Sequence, residues 1–412
     1  MGYFKETVKG ISWMGSLRGM TRIVGFIKIA ILARLLAPTQ FGVFGIASLV
    51  LAFLEITFDT GINVFLIQEE GKLEDYLDTA WVVSILRGFL ISLTILLFSP
   101  LISSFFNSPD SFRILLLIST VPFVKGFINP AVVKFLKDLE FKKEFLFRFV
   151  IFTVDASVSI ATAFITKSAV SLVWGILAGG ITEVVLSFFI LPRPKLNFEK
   201  EKIKKVVDRG KWVTFYGVFN YLFEHGDDIV VGKLMNTSSL GIYQMAYKIS
   251  SLPISEVTDV IVKVTLPVYV KISFDKKRLK RAFFKTLFTV SLAVFPMGLV
   301  LYLFPKEVIR IVLGEKWIEA YAVLKLLALF GVLRAIMLSG YTIFLAVKKQ
   351  EYVTIMTLVG ILGLGITIIP LVNKFGIYGA GLSALIATII SFPVFIYLLF
   401  RTFNEVKNNG TK

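Results

Sequence analysis

Cysteine is absent from this 412-residue chain, histidine occurs once, and glutamine occurs four times. Without cysteine there is no disulfide, thiolate metal site or cysteine nucleophile. The single histidine, His225, excludes multi-histidine zinc or haem ligation. Acidic residues are scarce beside basic ones: 28 Asp and Glu stand against 45 Lys and Arg, a formal charge of +17. The opening "MGYFKETVKGISWMG" has no short apolar core followed by a small-residue cleavage site, so no removable signal peptide is expected. HExxH, a Walker loop and a nucleophile elbow are all missing. The longest loops are about twenty basic residues, too short for a catalytic domain. An enzyme is not expected.

Apolar residues are abundant. The chain is 56% hydrophobic and 14% aromatic, with 40 Phe. A soluble domain rarely exceeds half apolar. The apolar residues also form continuous runs, and a bilayer is spanned by ~20 of them in a helix. Continuous runs exclude a β-barrel, whose strands alternate. The expected fold is therefore all-α and polytopic, with about twelve transmembrane helices. Spans are expected near 11–36, 41–66, 80–106, 111–133, 146–166, 169–191, 211–235, 239–268, 282–304, 318–346, 352–372 and 376–400.

The connections alternate in character. "LLAPTQFG", "TKSAV" and "MNTSSLG" are short and nearly uncharged, whereas "KFLKDLEFKKEF", "PRPKLNFEKEKIKKVVDRGK" and "KISFDKKRLKRAFFK" are long and basic. Basic loops stay in the cytoplasm. That places both termini there, in a cytoplasmic (inner) membrane. The surplus charge is then mostly topology, and nucleic acid is not an expected partner. One loop on the same side, "QEEGKLEDYLDT", is acidic, but acidic residues weigh little in orientation.

The chain also repeats itself. A shift of 199 lays "ARLLAPTQFGVF" over "GKLMNTSSLGIY" and Trp13 over Trp212. Two lobes of six helices each are expected, 1–199 and 200–412, with a cytoplasmic linker beginning near 192. Its charge run reads as an amphipathic helix on anionic headgroups. The alignment of later spans needs an insertion near "FPKEVIRIVLGEKW". Parallel repeats of this kind bind substrate between the halves and rock alternately open to each side.

Some charges remain inside the spans. Arg18, Arg22 and Lys28 fit one face of the first, since at ~100° per residue Arg22 lies about 40° to one side of Arg18 and Lys28 about 80° to the other. Arg34, near the outer end, can snorkel. Arg87, Lys125, Lys248, Lys263, Lys325 and Arg334 add to the set. A charge at mid-bilayer costs ~2.5–3.5 kcal/mol even on a lenient scale, so these cations must meet either water or counter-ions. The first case makes Arg18, Arg22, Lys28, Arg87, Lys125 and Arg334 an anion-holding set in a hydrated cavity. The second makes them structural ion pairs. Acids are present too: Glu55, Asp59, Asp155, Glu183, Glu224, Asp227, Asp228, Glu256 and Asp259. Asp259 and Lys263 are spaced for a pair, with Pro253 and Pro267 on either side. Lys28 lies over Asp227 in the repeat, which suggests a latch between the lobes. Glu55, Asp59, Glu224, His225, Asp227, Asp228, Glu256 and Asp259 are the gating or coupling candidates. The charges of "EHGDDIVVGK" are expected to face water between the lobes. No metal site or cofactor is expected from them.

Several stretches in order resemble one family. "ARLLAPTQFGVFGIASLVLAFLEITFDTGI" and "DDIVVGKLMNTSSLGIYQMAYKISSLP" resemble the signature regions of Wzx-type O-antigen and capsule flippases, and "TLPVYVKI" and "LGEKWIEAYAVLKLLAL" resemble the regions that follow. These flippases belong to the MOP superfamily with the MATE drug exporters and the lipid II flippase. The resemblance implies two lobes around a V-shaped cavity. It implies translocation of undecaprenyl-pyrophosphate-linked oligosaccharide for polysaccharide (O-antigen, lipopolysaccharide) biosynthesis. The implied partners are the lipid-linked oligosaccharide, the bilayer, and a polysaccharide polymerase with its assembly machinery. The alternative is a MATE-like exporter of small molecules coupled to an H+ or Na+ gradient. The three cations of the first span, with no carboxylate among them, count against it. A scaffold for polysaccharide assembly is the third reading, and it predicts replaceable cations.

Overall fold

The computed structural model describes residues 2–62, 66, 74–195, 217–222 and 224–405, apart from the side chains of 2–12, 14, 18, 252 and 259. Among the described residues there are helices and turns and no strand. The chain divides into two compact units, Met1–Gly226 and Asp227–Lys412. The expected linker helix, from 196 onward, lies outside the described residues, as does the first half of the acidic loop.

In the first unit, α1 (Gly2–Leu35), α2 (Pro38–Thr57) and α3 (Glu74–Phe105) lead to a broken segment. That segment is α4 (Pro109–Ile118), α5 (Thr120–Gly126), a 3₁₀ turn (Pro130–Val133) and α6 (Lys134–Lys137). Then come α7 (Phe141–Thr166) and α8 (Val170–Ile190). Helix continues over 217–222 and 224–234. The second unit holds α9 (Thr237–Lys271), α10 (Lys276–Leu303), α11 (Pro305–Val312), a 3₁₀ turn (Glu315–Ala320), α12 (Tyr321–Ala346) and α13 (Gln350–Glu405).

Among the described residues seven helices are long and apolar enough to cross a membrane, and the broken segment makes an eighth. The 56-residue α13 counts once there, although Gly376 (φ 60°, ψ −139°) breaks it into two helices. Large apolar side chains such as Ile165, Phe189 and Ile366 stand exposed on the outside of these helices. That surface suits hydrocarbon, not water.

Two expected spans change shape. The second was expected to reach residue 66, but α2 ends at Thr57. Asp59 Oδ1 accepts the Gly61 N–H at 3.0 Å, and Gly61 takes φ 64°, so a tight Asx turn stops the helix. The fourth, expected unbroken over 111–133, bends by 70° between Gly126 and Pro130. Proline disfavours helical backbone in the residue before it. Here that residue, Asn129, is extended, and its Oδ1 caps the new turn through Ala131 N at 3.0 Å. Asn129 Nδ2 also donates to the Pro192 carbonyl at 2.8 Å, and its N–H to Ser187 Oγ at 3.1 Å, so the bend is tied to the end of α8. The eighth keeps its expected extent: α9 is helical from Thr237 to Lys271, with Pro253 and Pro267 inside it.

The internal repeat has a structural counterpart. Helix ends at Leu35 and restarts at Pro38, and it ends at 234 and restarts at Thr237; both pairs differ by 199 (234 − 35 and 237 − 38). The two restarts use different chemistry. Pro38 sits in the first turn, where its missing N–H costs nothing. Asn236 instead caps α9 by accepting the Ser239 N–H at 2.8 Å. By α7 and α13 the offset has grown to 209 (350 − 141). The extra residues fall where α11 and its 3₁₀ turn lie, and Ile309, Leu313 and Trp317 of that segment are fully buried.

Glycines set the close crossings of the first unit. α3 and α5 touch at Gly88 and Gly126, where a Cβ on Gly126 would lie 3.4 Å from the Gly88 Cα. A Cβ on Gly88 would overlap the Pro122 carbonyl oxygen. Gly88→Ala should therefore force the helices apart at a cost of ~1–3 kcal/mol. A thermal melt of the purified protein should show a clearly lower midpoint. An unchanged midpoint would mean that this crossing is not close.

Candidate functional site

The crossing of Gly88 and Gly126 brings the preceding residue of each helix, Arg87 and Lys125, to the wall of one cavity of about 410 Å³ in the first unit. Helix α2 contributes Glu55, α7 contributes Glu144 and Arg148, and α8 contributes Glu183. The bend at Asn129 and Pro130 closes one side. Three cations and three carboxylates thus line a single space within the first unit.

They are not paired evenly. Arg148 carries two carboxylates: its Nε donates to Glu144 Oε1 at 3.0 Å and one Nη to Glu183 Oε1 at 2.7 Å. Glu144 is 5% exposed and Glu183 9%. A buried acid keeps its charge only when so bonded. Arg87 donates through Nη2 to the Glu55 backbone carbonyl at 2.6 Å, a neutral acceptor. Among the described residues, neither Arg87 nor Lys125 forms an ion pair.

The expected cation set is therefore dispersed. Arg87 and Lys125 share the cavity, with Glu55 beside them. Lys28 is bound instead by Asp155 of α7, at 2.8 Å to both carboxylate oxygens, with the two side chains 15% and 20% exposed. For Lys28 the ion-pair expectation holds in this conformation. Gly175 makes room for it: a Cβ there would meet Ser159 Oγ and crowd Asp155, so only glycine lets α8 lie this close to α7. Arg22 is exposed, and the Arg18 side chain lies outside the description. Arg334 is in the second unit, donating to the Tyr247 hydroxyl at 2.9 Å over the Phe330 ring. Lys325 lies over the Tyr302 ring, and Lys248 and Lys263 are exposed.

Among the gating candidates, Asp59 is spent on its Asx turn. His225 packs against the Tyr221 ring with centroids 4.6 Å apart. Tyr221 in turn donates to the Leu49 carbonyl at 2.6 Å. Glu224 is exposed, and Glu256 and Asp228 are half-buried. The Asp259 side chain lies outside the description. Asp227 requires a correction. It was expected to face water, but it is 5% exposed and accepts a 2.6 Å hydrogen bond from Tyr243 of α9. The tyrosine replaces water as its donor. Among the described residues no group of three or more His, Asp or Glu could hold a metal ion.

Arg148 escaped the sequence reading although it lies inside the expected span 146–166, because its partner Glu144 falls in the basic loop before it. The i,i+4 spacing of Glu144 and Arg148, together with the intramembrane Glu183, was the available signal.

This is a polytopic helical membrane protein with a charged cavity inside its first unit. Its fold is similar to those of solved flippase and MATE transporter structures. The lipid II flippase MurJ in an inward closed conformation superposes with a TM-score of 0.74 at 16% identity, over 95% of this chain and 89% of that one. An inward-facing multidrug resistance MATE transporter of the MOP superfamily superposes with 0.71 at 13% identity, over 95% and 96%. Residues 31–322 match the family described as polysaccharide biosynthesis protein, and the chain belongs to that family. Among similar proteins is a membrane protein of the cps region of Klebsiella pneumoniae, 28% identical over 84% of this chain and 72% of that one. Another is the lipopolysaccharide biosynthesis protein WzxC of Escherichia coli K12, 24% identical over 82% and 69%. The teichuronic acid biosynthesis protein TuaB of Bacillus subtilis is 23% identical over 84% and 72%.

Breaking a buried ion pair from one side leaves an uncompensated charge, at a cost of ~3–5 kcal/mol. Lys28→Met and Asp155→Leu should each destabilise the protein strongly, and the double variant much less than their sum. Additive losses in a thermal or denaturant series would mean that the pair is not coupled.

Proposed function

We propose that the protein is a flippase that moves undecaprenyl-pyrophosphate-linked oligosaccharide repeat units across the cytoplasmic membrane by alternating access. It serves the synthesis of a surface polysaccharide. The observation that carries this reading is the family match over 31–322 on a MOP-type helical fold. The cavity supports it chemically. Arg87 and Lys125 offer positive charge at membrane depth without an acid partner among the described residues. Guanidinium and ammonium groups hold phosphate oxygens well. Arg18, Arg22, Lys28 and Arg334 complete the proposed cation set in other conformations of the transport cycle, and a Lys28 latch to Asp227 or Asp228 belongs to the same proposal. The twelve-span count, the lobes 1–199 and 200–412, and H+ or Na+ coupling through the acids are parts of this reading. So is association with the polymerase.

Deletion of the gene in its source organism is expected to make lipid-linked oligosaccharide accumulate inside while the surface polymer disappears. Normal polymer together with new sensitivity to cationic drugs would instead make the protein an exporter, and the acids its working residues.

The orientation can be tested directly, because the chain has no native cysteine. Lys277→Cys should react with a membrane-impermeant maleimide only after the cells are opened. Ser168→Cys should react in intact cells. The reverse pattern would invert the proposed topology.

A further inference from the structure

Two buried atoms of side chains that line the cavity of the first unit have no hydrogen-bond partner among the described residues, Arg87 Nε and Glu144 Oε2. One is a donor and the other an acceptor. Buried polar groups are rarely left unpaired, because each has given up water for nothing in return.

The charge of the cavity is divided by helix. Arg87 and Lys125 come from α3 and α5, which give the lining no acid, and the Lys125 stem lies beside Gly180 of α8. The α7–α8 wall carries one cation, Arg148, between two carboxylates, an excess of one negative charge. Glu55 of α2 brings the six side chains to neutrality. A simple anion would suit Arg87 and Lys125 and be repelled by the α7–α8 wall. A simple cation meets the opposite difficulty. The complement is a ligand with an anionic, acceptor-rich end and a donor-rich end. The volume, about 410 Å³, equals roughly a dozen water molecules. That is room for a phosphate and one small attached group.

We propose that this cavity binds a phosphate ester whose attached group carries hydrogen-bond donors. The phosphate oxygens meet Arg87 Nε and the Lys125 ammonium, and the hydroxyl or ammonium donors meet Glu144 Oε2. Two sources supply this chemistry. One is the glycosyl pyrophosphate head of the transported lipid, which rests on the flippase reading. The other is the ethanolamine head of a bilayer phospholipid, which does not.

Native mass spectrometry of the purified full chain separates them. The probes are phosphatidylethanolamine against phosphatidylcholine, which has the phosphate but no N–H donor. The second pair is a short-chain polyprenyl-pyrophosphoryl sugar against the same pyrophosphate without sugar. The donor-bearing member of at least one pair should be retained about tenfold better, and the pair that discriminates names the source. Glu144→Met should abolish that preference, and Arg87→Gln with Lys125→Gln should weaken binding of both members. Equal retention within both pairs by the native protein would overturn the proposal and leave a water-filled cavity. A preference that survives Glu144→Met would overturn it too, by placing the site elsewhere. The native ranking needs no variant to fold. If it fails while precursor still accumulates in the deletion strain, the site is lost and the flippase reading stands.

Discussion

A charge carried into a bilayer must find either an opposite charge or water, and much of the first unit is arranged around that requirement. Lys28 finds Asp155. Arg148 finds Glu144 and Glu183. The Lys28–Asp155 pair joins α1 to α7, far apart in chain order, and Arg148 with Glu183 ties α7 to the next helix, α8, so the charges also specify which helices are neighbours. Such pairs add little net stability compared with apolar residues of the same size. Their effect is to penalise every arrangement in which one partner is missing.

Helix spacing makes the pairings reachable. Gly175 lets α8 approach α7 beside Asp155, and Gly88 with Gly126 brings α3 and α5 into contact. The same crossing sets Arg87 and Lys125 in the lining of one cavity. Asn129 then holds a 70° bend against the end of α8, so that a helix that would have filled the space turns aside. The cavity is thus what remains when two glycine crossings, a broken helix and an over-subscribed arginine are satisfied together. Arg87 and Lys125 are left without an ion-pair partner among the described residues, and the proposed flippase reading assigns them the phosphate.

Much of this was legible in the sequence, and the parts that were not have physical causes. Continuous apolar runs gave the helices, because a bilayer admits little else. The shift of 199 was legible because a turn between two spans needs small, polar or proline residues, and those stand out against the apolar background. The family resemblance rested on the same turns. Arg87, Lys125 and Glu55 could be picked out because a charge within a span is conspicuous. Their neighbours were not predictable: whether Lys28 faces Asp155 or a lumen depends on helix rotation, which a sequence of fairly uniform hydrophobicity leaves undetermined. Arg148 was passed over because it stands at the start of its span, beside a basic loop. Asp227 looked solvated because Tyr243, its donor, reads as one more aromatic in an apolar span. The stop at Thr57 was written in "DTG", but an Asx turn at the edge of a span looks like an ordinary loop.

Reconstitution into proteoliposomes tests the central claim most directly. A lipid-linked oligosaccharide would be placed in both leaflets, and its exposure to an impermeant sugar-cleaving enzyme followed with time. The account predicts that in vesicles containing the protein nearly all of the substrate becomes accessible, whereas the Arg87→Gln, Lys125→Gln double variant protects the inner-leaflet share as protein-free vesicles do. Protection of the inner-leaflet share by the native protein, under imposed H+ and Na+ gradients as well as without them, would contradict it.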